Sequence, residues 1–370
     1  MVMSVAEYVI ELFDSGASFG PGSRIGELWS ARNLGWSAYD RIPGKAFATL
    51  AQSDVSLAWL SPLKTHVKIW RLTPTSGPVL VYAGGFIDYD STGDDVVLTF
   101  YDYLALLSVS RSGYQKMYPN MALGDIALSE WNMAKLATAS PLAFVATGTF
   151  ENPLASDGIT QIRTNGQFGT LDQMRLQILY DLSEMGRANT SNTVTFGIGR
   201  TDNTMRFLRN AGTRRDIGLV LGGSVSDYAH APNWSKYRND LATLGTSSAG
   251  GAMEIVKQDA TAAASMGLRQ DVFTIRTLLG VAGAATEVDQ QQAVAARELR
   301  RATGQHDALS LQLIGGFIEP FVGWDINDVV PVEIDNGIDS VVGDWRIVGV
   351  RVLFDEAGEQ MSLLVAPVLT

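Results

Sequence analysis

The stretch "GGFIDYDSTGDDVVLTF", residues 84–100, decides the fold, because a matching stretch, "GVRVLFDEAGEQMSLLV", occupies residues 349–365. A shift of 265 positions aligns the two without a gap and places Gly93 on Gly358. Each reads as two apolar strands around a turn, with a glycine that can adopt positive φ and an aspartate three residues earlier that can bond the turn amides. Two unrelated hairpins of this common type remain an alternative. The matched flanking strands favour a duplicated β-domain.

Short β-prone segments fill the first third of the chain, separated by Gly, Pro, Ser and Asp. Strands are predicted at residues 45–51, 66–72, 78–90 and 95–104. This spacing is typical of a sandwich or barrel. A helix is predicted near 125–138, with Asp125 as its cap and an inner face of Ile126, Trp131, Ala134 and Ala137.

A segment rich in Gly, Ser, Asn and Asp, residues 155–169, predicts a domain boundary. The helix that follows begins with a capping-box pattern at Thr170 and Gln173 and ends before Gly186, which suits the C′ position. Its apolar face is predicted to comprise Leu171, Met174, Ile178, Leu182 and Met185. Strand-like segments at 193–199, 204–210 and 214–223 then predict a small antiparallel sheet packed on this helix.

The last third returns to strands, at 240–246, 252–258, 309–316, 329–335, 345–355 and 360–367. One Ala-rich helix is predicted at 287–303, with acids in its first turn and arginines in its last two. The predicted fold class is therefore α+β and β-rich. Two tube-like β-barrel or sandwich domains with one helix each, residues 1–155 and 233–370, flank an inserted α/β domain, residues 156–232.

Composition narrows the function classes. A chain of 370 residues should form two or three domains. It has no cysteine, which excludes disulfides, zinc–thiolate sites and cysteine nucleophiles. The N-terminal segment has its first basic residue at Arg24, so no secretory signal is predicted, and no apolar run is long enough to span a bilayer. We expect synthesis as a soluble protein in a cytoplasm.

The charge is negative overall and unevenly distributed. The net charge of −11 argues against wrapping nucleic acid or coating an anionic membrane. Residues 321–370 are acidic and residues 161–220 are rich in arginine. Both regions could be solvated faces, or they could meet between subunits. The four arginines of 206–215, with Phe207, also leave nucleic-acid binding open.

Catalytic signatures are not found in the sequence. His66, His230 and His306 are far apart, and none has a His or Cys partner at metal-binding spacing. His66 is interpreted as structural, as are Trp59, Trp70, Trp131 and Trp345. "DYDSTG", residues 88–93, begins like a calcium loop but has Thr99 where a glutamate is required, which leaves a loose cation site at Asp88, Asp90, Asp94 and Asp95 open. We predict no enzyme activity and assign no catalytic, cofactor or metal residue.

Residues 67–111 and 345–367, in this order of domains, resemble the phage tail hub proteins, which are minor tail proteins of long-tailed phages. These are similar in plan to the central hub of contractile-tail baseplates. The Asp102, Tyr103 and Leu104 segment after the first hairpin is typical of the family, and residues 233–245 open the second β-domain in the same style.

The resemblance implies a structural virion protein at the tail tip. A homotrimer would supply six β-modules and so match a six-fold tail tube to a three-fold tip while lining the channel. Implied partners are a distal tail protein or tail tube above and fibre or spike proteins below, with the tape-measure protein as a candidate occupant of the lumen. DNA would pass without specific binding, and the chain would not insert into a membrane. A tail-associated cell-wall hydrolase and a receptor-binding tail protein are the alternatives.

Overall fold

A computed structural model describes residues 7–16, 19–62, 64–73, 76–111, 116–137, 140–155, 158–168, 174–189, 193–230, 239–246, 252–258, 270–274, 299, 309–337 and 340–368. All structural statements below concern these residues. None of the helices among them is both long and apolar enough to cross a membrane.

The secondary structure is dominated by strands. In chain order the elements are β1 (Glu7–Ser15), β2 (Pro21–Glu27), β3 (Asn33–Tyr39), β4 (Lys45–Ala51), β5 (His66–Thr73), β6 (Gly77–Thr92), β7 (Asp95–Asp102), β8 (Lys116–Ala122), α1 (Leu123–Leu136), β9 (Ala146–Phe150), β10 (Arg163–Phe168), α2 (Arg175–Asn189), β11 (Thr195–Ile198), β12 (Thr204–Leu208), β13 (Leu219–Val220), β14 (Val225–His230), β15 (Asp240–Thr246), β16 (Ala252–Gln258), β17 (Gln270–Thr274), β18 (Leu309–Leu313), β19 (Val329–Asp335), β20 (Ser340–Asp355) and β21 (Gly358–Pro367). Short 3₁₀ helices lie at Val55–Trp59 and Tyr103–Ser108.

One large sheet joins the two ends of the chain. Among the described residues it contains 13 strands, and its main path runs β14-β18-β21-β20-β3-β4-β7-β6-β5-β1-β2, with β19 and β13 attached beside β20. The path is open, and no closed barrel is present in the described part of the chain. The predicted β-rich character is confirmed, whereas closure into two barrels is not found.

Two five-strand units within this sheet share one topology. The first unit, β3 to β7, has the order β3-β4-β7-β6-β5, and the second, β14 with β18 to β21, has the order β14-β18-β21-β20-β19. All pairings are antiparallel, and corresponding strands follow one another in the same chain order. The two hairpins therefore occupy equivalent places in the same strand order, as the duplication hypothesis requires.

The register of the hairpins corrects the gap-free alignment. A β-bulge interrupts β6 between Phe86 and Asp88, where Phe86 faces Phe100, and another interrupts β20 between Ile347 and Gly349, where Ile347 faces Val365. Val365 lies 265 positions after Phe100, but Ile347 lies 261 after Phe86. The second hairpin is therefore longer by two residue pairs.

The turn glycines consequently differ in position. Gly93 is a turn residue with φ 63°, whereas Gly358 is the first strand residue after its turn, with φ 104°. The expected coincidence of Gly93 with Gly358 is therefore wrong. Both glycines still supply the positive φ that the hairpins need.

The two units share one hydrophobic core. It includes Trp36, Leu98 and Phe100 from the first unit and Ile347 and Leu363 from the second. Because one core spans both units, the described strands show a continuous sheet rather than two isolated β-domains. The limits at 155/156 and 232/233 stay predictions.

A smaller core gathers the helices. α1 and α2 pack together through residues such as Trp131, Ile126 and Ile178, with β11 and β12 antiparallel as predicted. β9 adds to β12 in parallel, so this sheet is mixed rather than purely antiparallel. The segment predicted as its third strand, 214–223, forms β13 instead, which pairs in parallel with β19 of the large sheet. Two further small sheets are β10-β8 and β16-β15-β17.

The helix boundaries differ from the predicted ones in detail. α1 begins after Ala122 without a side-chain cap, so Asp125 lies inside the first turn rather than at the cap. Ala137 is exposed and not part of the inner face. α2 continues through Gly186 to Asn189, and a Cβ at Gly186 would meet Val194 and Pro153, so this glycine permits close packing instead of ending the helix. The capping box and the 287–303 helix lie outside the described residues, apart from helical Leu299.

The second hairpin is anchored on the first unit by Glu359. Its carboxylate accepts hydrogen bonds from Arg71 Nε at 2.7 Å and Nη2 at 2.9 Å and from the Tyr8 hydroxyl at 2.6 Å. Phe354, before the turn, packs on the Tyr8 ring with centroids 5.1 Å apart. Arg71 is buried, so this ion pair is shielded from solvent.

Substituting Glu359→Gln should lower the free energy of unfolding by about 3–5 kcal/mol, because the Arg71 charge would be left buried without its full partner. Urea unfolding monitored by tryptophan fluorescence measures the change. Asp94→Asn is the control: Asp94 aligns with Glu359 in sequence but is exposed, so a change below about 0.5 kcal/mol is expected. Similar effects of the two substitutions would contradict the anchoring role of Glu359.

Candidate functional site

A buried polar cluster lies where the sheet meets the helical part of the chain, and Asp40 is at its centre. Asp40 follows β3, and its backbone N–H donates to the Val348 carbonyl of β20 at 2.9 Å. Its carboxylate accepts from Arg187 Nη2 at 2.7 Å and from Arg41 Nε at 3.0 Å. It also accepts from the Thr195 hydroxyl and from Asn327 Nδ2. A single carboxylate thus connects both five-strand units with α2 and β11.

Arg41 extends the cluster along α2. It adopts a left-handed backbone conformation, with φ 60°, which turns the chain after β3. Its Nη1 donates to the Ser183 hydroxyl at 2.8 Å and pairs with Glu184, and its guanidinium stacks over the Tyr180 ring at 4.9 Å. A non-glycine residue in this conformation is uncommon and persists only where its surroundings hold it.

The second unit contributes Asn327 and Arg346. The Asn327 backbone, with φ 77°, donates to the Ile347 carbonyl at 2.8 Å, while its side-chain Oδ1 is buried without a hydrogen-bond partner. Arg346 on β20 is also buried, and burial together with the nearby Arg187 charge lowers its pKa to about 10.

The electrostatics of the cluster favour an ionised Asp40. Burial raises the pKa of a carboxyl group, but at Asp40 the Arg187 and Arg41 guanidiniums and the hydrogen bonds from Thr195 and Asn327 outweigh it. They lower its pKa from 3.8 to about 2. The carboxylate is therefore charged at physiological pH and holds its donors in fixed positions.

A cavity of about 440 Å³ borders the cluster. Asp40, Arg41, Asn327, Tyr82 and Asp102 contribute to its wall. Phe321 also lines it, stacked against Trp36 with centroids 5.6 Å apart and covered by Arg200, whose guanidinium lies 3.6 Å from the ring centroid. The Tyr82 hydroxyl is buried and has no hydrogen-bond partner in the described structure.

Asp102, the last residue of β7, is partly buried. It accepts from the Gly44 backbone N–H at 2.5 Å and from the Leu104 N–H at 3.1 Å, so it connects the β3–β4 turn to the following 3₁₀ helix. Burial raises the pKa of Asp102, and hydrogen bonds from the backbone N–H groups of Gly44, Ala105 and Leu104 lower it. The effect of burial is larger, and the pKa is raised to about 7. The resemblance had singled out Asp102 in the sequence. In the structure it is a partly buried group that positions the backbone around it.

The arginine-rich segment is engaged inside the chain. Arg214 pairs with Asp344 at 3.0 Å, Arg215 with Asp328 at 2.7 Å and Arg206 with Asp202. The acidic and basic regions therefore meet within one chain, where the sequence had also left contacts between subunits open. These pairs leave little unpaired charge for nucleic acid on this segment.

His66 is the one histidine whose side chain the structure describes. It is buried, and its Nδ1 lies 3.1 Å from the Tyr103 hydroxyl and its Nε2 3.4 Å from Ser15 Oγ. Burial lowers its pKa. The ring packs against Tyr103 and Phe144, which fits the structural role assigned from sequence.

The other sequence candidates are spread over the surface and the core. No group of three metal-ligating side chains is found in the described residues, and Asp95 pairs with Arg32 at 3.0 Å. Trp131 and Trp345 are core residues, but Trp59 is 44% exposed and lies over Gly26, so its assignment to the core is wrong. Trp29, which sequence reasoning did not single out, is 77% exposed.

Sequence reasoning also missed Asp40, Arg41 and Asn327. A signal existed: Asp40 and Arg41 are adjacent charges directly between an apolar strand and the Pro43–Gly44 turn. Apart from each other, their ion-pair partners are Arg187 and Glu184, which lie more than a hundred residues away, so their burial was not visible from the sequence. Asp40, Arg41, Arg187 and Glu184 pair with one another, an arrangement that positions three parts of the chain, whereas the buried Arg346 Nε has no hydrogen-bond partner among the described residues.

Several known structures that match the chain are tail proteins, two of them from prophages. The 43 kDa tail protein of prophage MuSo2 from Shewanella oneidensis superposes with a TM-score of 0.64 at 16% identity, over 97% of this chain and 98% of that one. The tail protein from Neisseria meningitidis MC58 gives 0.63 at 14% identity, covering 97% and 96%. Prophage tail protein gp18 from Listeria monocytogenes EGD-e gives 0.56 at 11% identity, covering 97% and 94%. No protein-family model and no curated protein sequence matches the chain.

The fold is thus that of a phage tail protein over nearly the whole chain. The resemblance drawn from the sequence is confirmed at this level. The identities are too low to transfer residue roles.

Asp40→Asn should lower the free energy of unfolding by about 3–5 kcal/mol, because it removes the carboxylate that pairs with the partly buried Arg187 and leaves the buried Arg41 with Glu184 alone. Guanidinium titration gives the change. Asp216→Asn is the matched control, since Asp216 also pairs with an arginine but its side chain is 94% exposed, and less than about 0.5 kcal/mol is expected. An Asp40→Asn protein as stable as the control would contradict the central position of this carboxylate.

Asp102 should make the protein less stable as pH rises from about 4 to about 7. The unfolded chain ionises this carboxyl near pH 3.8 while the folded protein keeps it protonated to about 7, so deprotonation favours unfolding across this window. The contribution is at most about 1.4 kcal/mol per pH unit.

Urea unfolding at several pH values tests this prediction. Asp102→Asn should flatten the decline between pH 4 and 7, and the exposed Asp94→Asn should leave it unchanged. An Asp102→Asn protein with the wild-type slope would show that another group titrates.

Proposed function

We propose that the chain is a structural hub of a phage tail tip, in which three copies surround the tail axis. The observation that carries the proposal is the pair of five-strand units with the same strand order and the same bulge position in one chain. Three chains then present six equivalent units to a six-fold tail tube and three-fold symmetry to the tip. The tail-protein fold over nearly the full chain supports this role.

The remaining partners follow from that position. A distal tail protein or tail tube would stack above the ring, and fibre or spike proteins would attach below it. The channel would hold the tape-measure protein and later pass DNA without specific contacts, which agrees with the negative net charge. The protein would belong to the virion and be made in the host cytoplasm.

The Asp40 cluster suits such a mechanical role. A hub must hold two β-units and a helical part in a fixed relation while neighbouring rings press on it. Buried charges with several hydrogen-bonded partners define one arrangement, because any displacement leaves an unpaired charge. We propose that the cluster maintains the alignment of the two units and does not catalyse a reaction.

A receptor-binding role is the second candidate, because Trp29 and Val55 are 77% and 78% exposed. Exposed aromatic and apolar side chains of this kind mark interaction surfaces when they cluster. They would equally serve contacts to a neighbouring tail protein.

A reconstruction of the intact tail tip tests the proposal. Three copies of this chain around the axis are expected, each giving two β-units to a pseudo-six-fold ring. Six copies, or one copy away from the axis, would overturn the hub function. A zymogram with purified protein on host cell wall should show no clearing, and clearing would favour the hydrolase alternative.

A further inference from the structure

The geometry points to a joint between copies: the outer edge of β6 at Ser91 and Thr92 of one copy pairs antiparallel with Ala229 and His230, at the end of β14, of the next. This inference rests on the proposed ring and names the surface that would close it. It is argued from the way that the two five-strand units are joined inside one chain.

The internal joint is the pairing of β20 with β3. Residues 349–354 of β20 run antiparallel to residues 34–39 of β3, beyond the point where β19 stops pairing with β20. Val350 and Val352 are buried at this joint. The fourth strand of the second unit thus extends past its own unit and binds the first strand of the other unit.

Each of the two strands in the internal joint has a counterpart in the other five-strand unit. By the position of the bulge, Asp88–Thr92 of β6 corresponds to residues 349–353 of β20. β14 corresponds to β3, because each lies outside the second strand of its unit. A copy of the internal joint therefore requires β6 of one unit and β14 of another.

Within one chain these two edges do not meet. β5 pairs with β6 only as far as Gly85, and all residues of Asp88–Thr92 are exposed; Tyr89 is 58% exposed. In the described part of the chain, β14 pairs with β18 at the end of the sheet path, and its further pairing there is the isolated bridge of Val225 with Leu221. In an assembly of copies, β14 of one copy would lie against the edge of β6 of another, in the way that β3 lies against β20 inside the chain.

The composition of the β6 edge suits a joint that forms only with a matched partner. Where β20 has Val350 and Val352, the β6 edge has Tyr89 and Ser91, flanked by Asp88 and Asp90. Charged residues on an edge strand oppose pairing with unrelated strands. The contact is head-to-tail, since β6 of one copy meets β14 of another, and such contacts close into a ring when the rotation permits.

The internal register predicts the partners. Trp36 faces Ala46 in the first unit, and His230 faces Leu309 at the corresponding place in the second, so Ala229 corresponds to Gly35. Gly35 faces Leu353 in the internal joint, and Leu353 corresponds to Thr92. Thr92 of one copy should therefore lie opposite Ala229 of the next.

Cysteine cross-linking tests this pair directly, because the natural chain has no cysteine. Both residues are exposed, and side chains directly opposite on antiparallel strands are close enough for a disulfide. The full chain carrying Thr92→Cys and Ala229→Cys is oxidised, and its covalent state is read on non-reducing gels. Native mass spectrometry of the unmodified chain counts the copies.

Two control pairs define the readout. Arg351→Cys with Ser37→Cys, residues that face each other in the internal joint, should form an intramolecular disulfide and stay a covalent monomer. Thr92→Cys with Ser226→Cys uses the same two strands out of register and should cross-link at least tenfold less than the in-register pair.

The outcomes separate this joint from the hub function. Covalent dimers and trimers of the Thr92 and Ala229 pair, with three copies in the native protein, support both. Three copies without these cross-links, or equal cross-linking of the Ser226 pair, would overturn the joint and leave the hub proposal standing. Cross-linked ladders longer than three would support the joint and contradict the three-copy ring. A chain that stays monomeric at every concentration would overturn the joint, and tail-tip symmetry would then decide the hub function.

Discussion

The Asp40 carboxylate is the interaction on which the arrangement of this protein depends. It is held by two arginines, a threonine and an asparagine that come from the first unit, α2, β11 and the second unit. An ionised carboxylate in a buried site is stable only while all these donors stay in place. The relative position of sheet and helices is therefore determined by charge satisfaction as well as by apolar packing.

The continuous sheet shows how the two duplicated units are connected. Two units of equal topology are joined edge to edge by β20 and β3, and Glu359 of the second hairpin is bonded to Arg71 of the first unit. A strand edge that pairs inside the chain cannot aggregate with other strands. The longer second hairpin, β20 and β21, thus joins the two units. The shorter first hairpin, β6 and β7, leaves the edge of β6 exposed.

The distribution of charge along the sequence showed which regions are acidic and which are basic, but not which charged residues contact each other. The acidic C-terminal region and the arginine-rich middle region are complementary, and the structure pairs them inside the chain through Arg214 with Asp344 and Arg215 with Asp328. Nothing in the spacing of these residues distinguishes pairs within a chain from pairs between chains. The glycine at position 186 is a second example. Its residue type predicted the end of a helix, whereas the structure shows that a glycine is needed there for close packing against Val194.

The sequence by itself determined many of the strands, the two helices seen in the structure, the repeated hairpin and the absence of cysteine chemistry. These features depend on local periodicity, turn residues and composition, which can be recognised within short stretches of sequence. The strands β1–β3, β8–β10, β14 and β17 were not predicted from the sequence. Only the tertiary structure decided the hairpin register, the single core shared by both units and the Asp40 cluster with its cavity. Each of these depends on residues far apart in sequence: Asp40 meets Arg187 and Asn327 only after the whole sheet has formed.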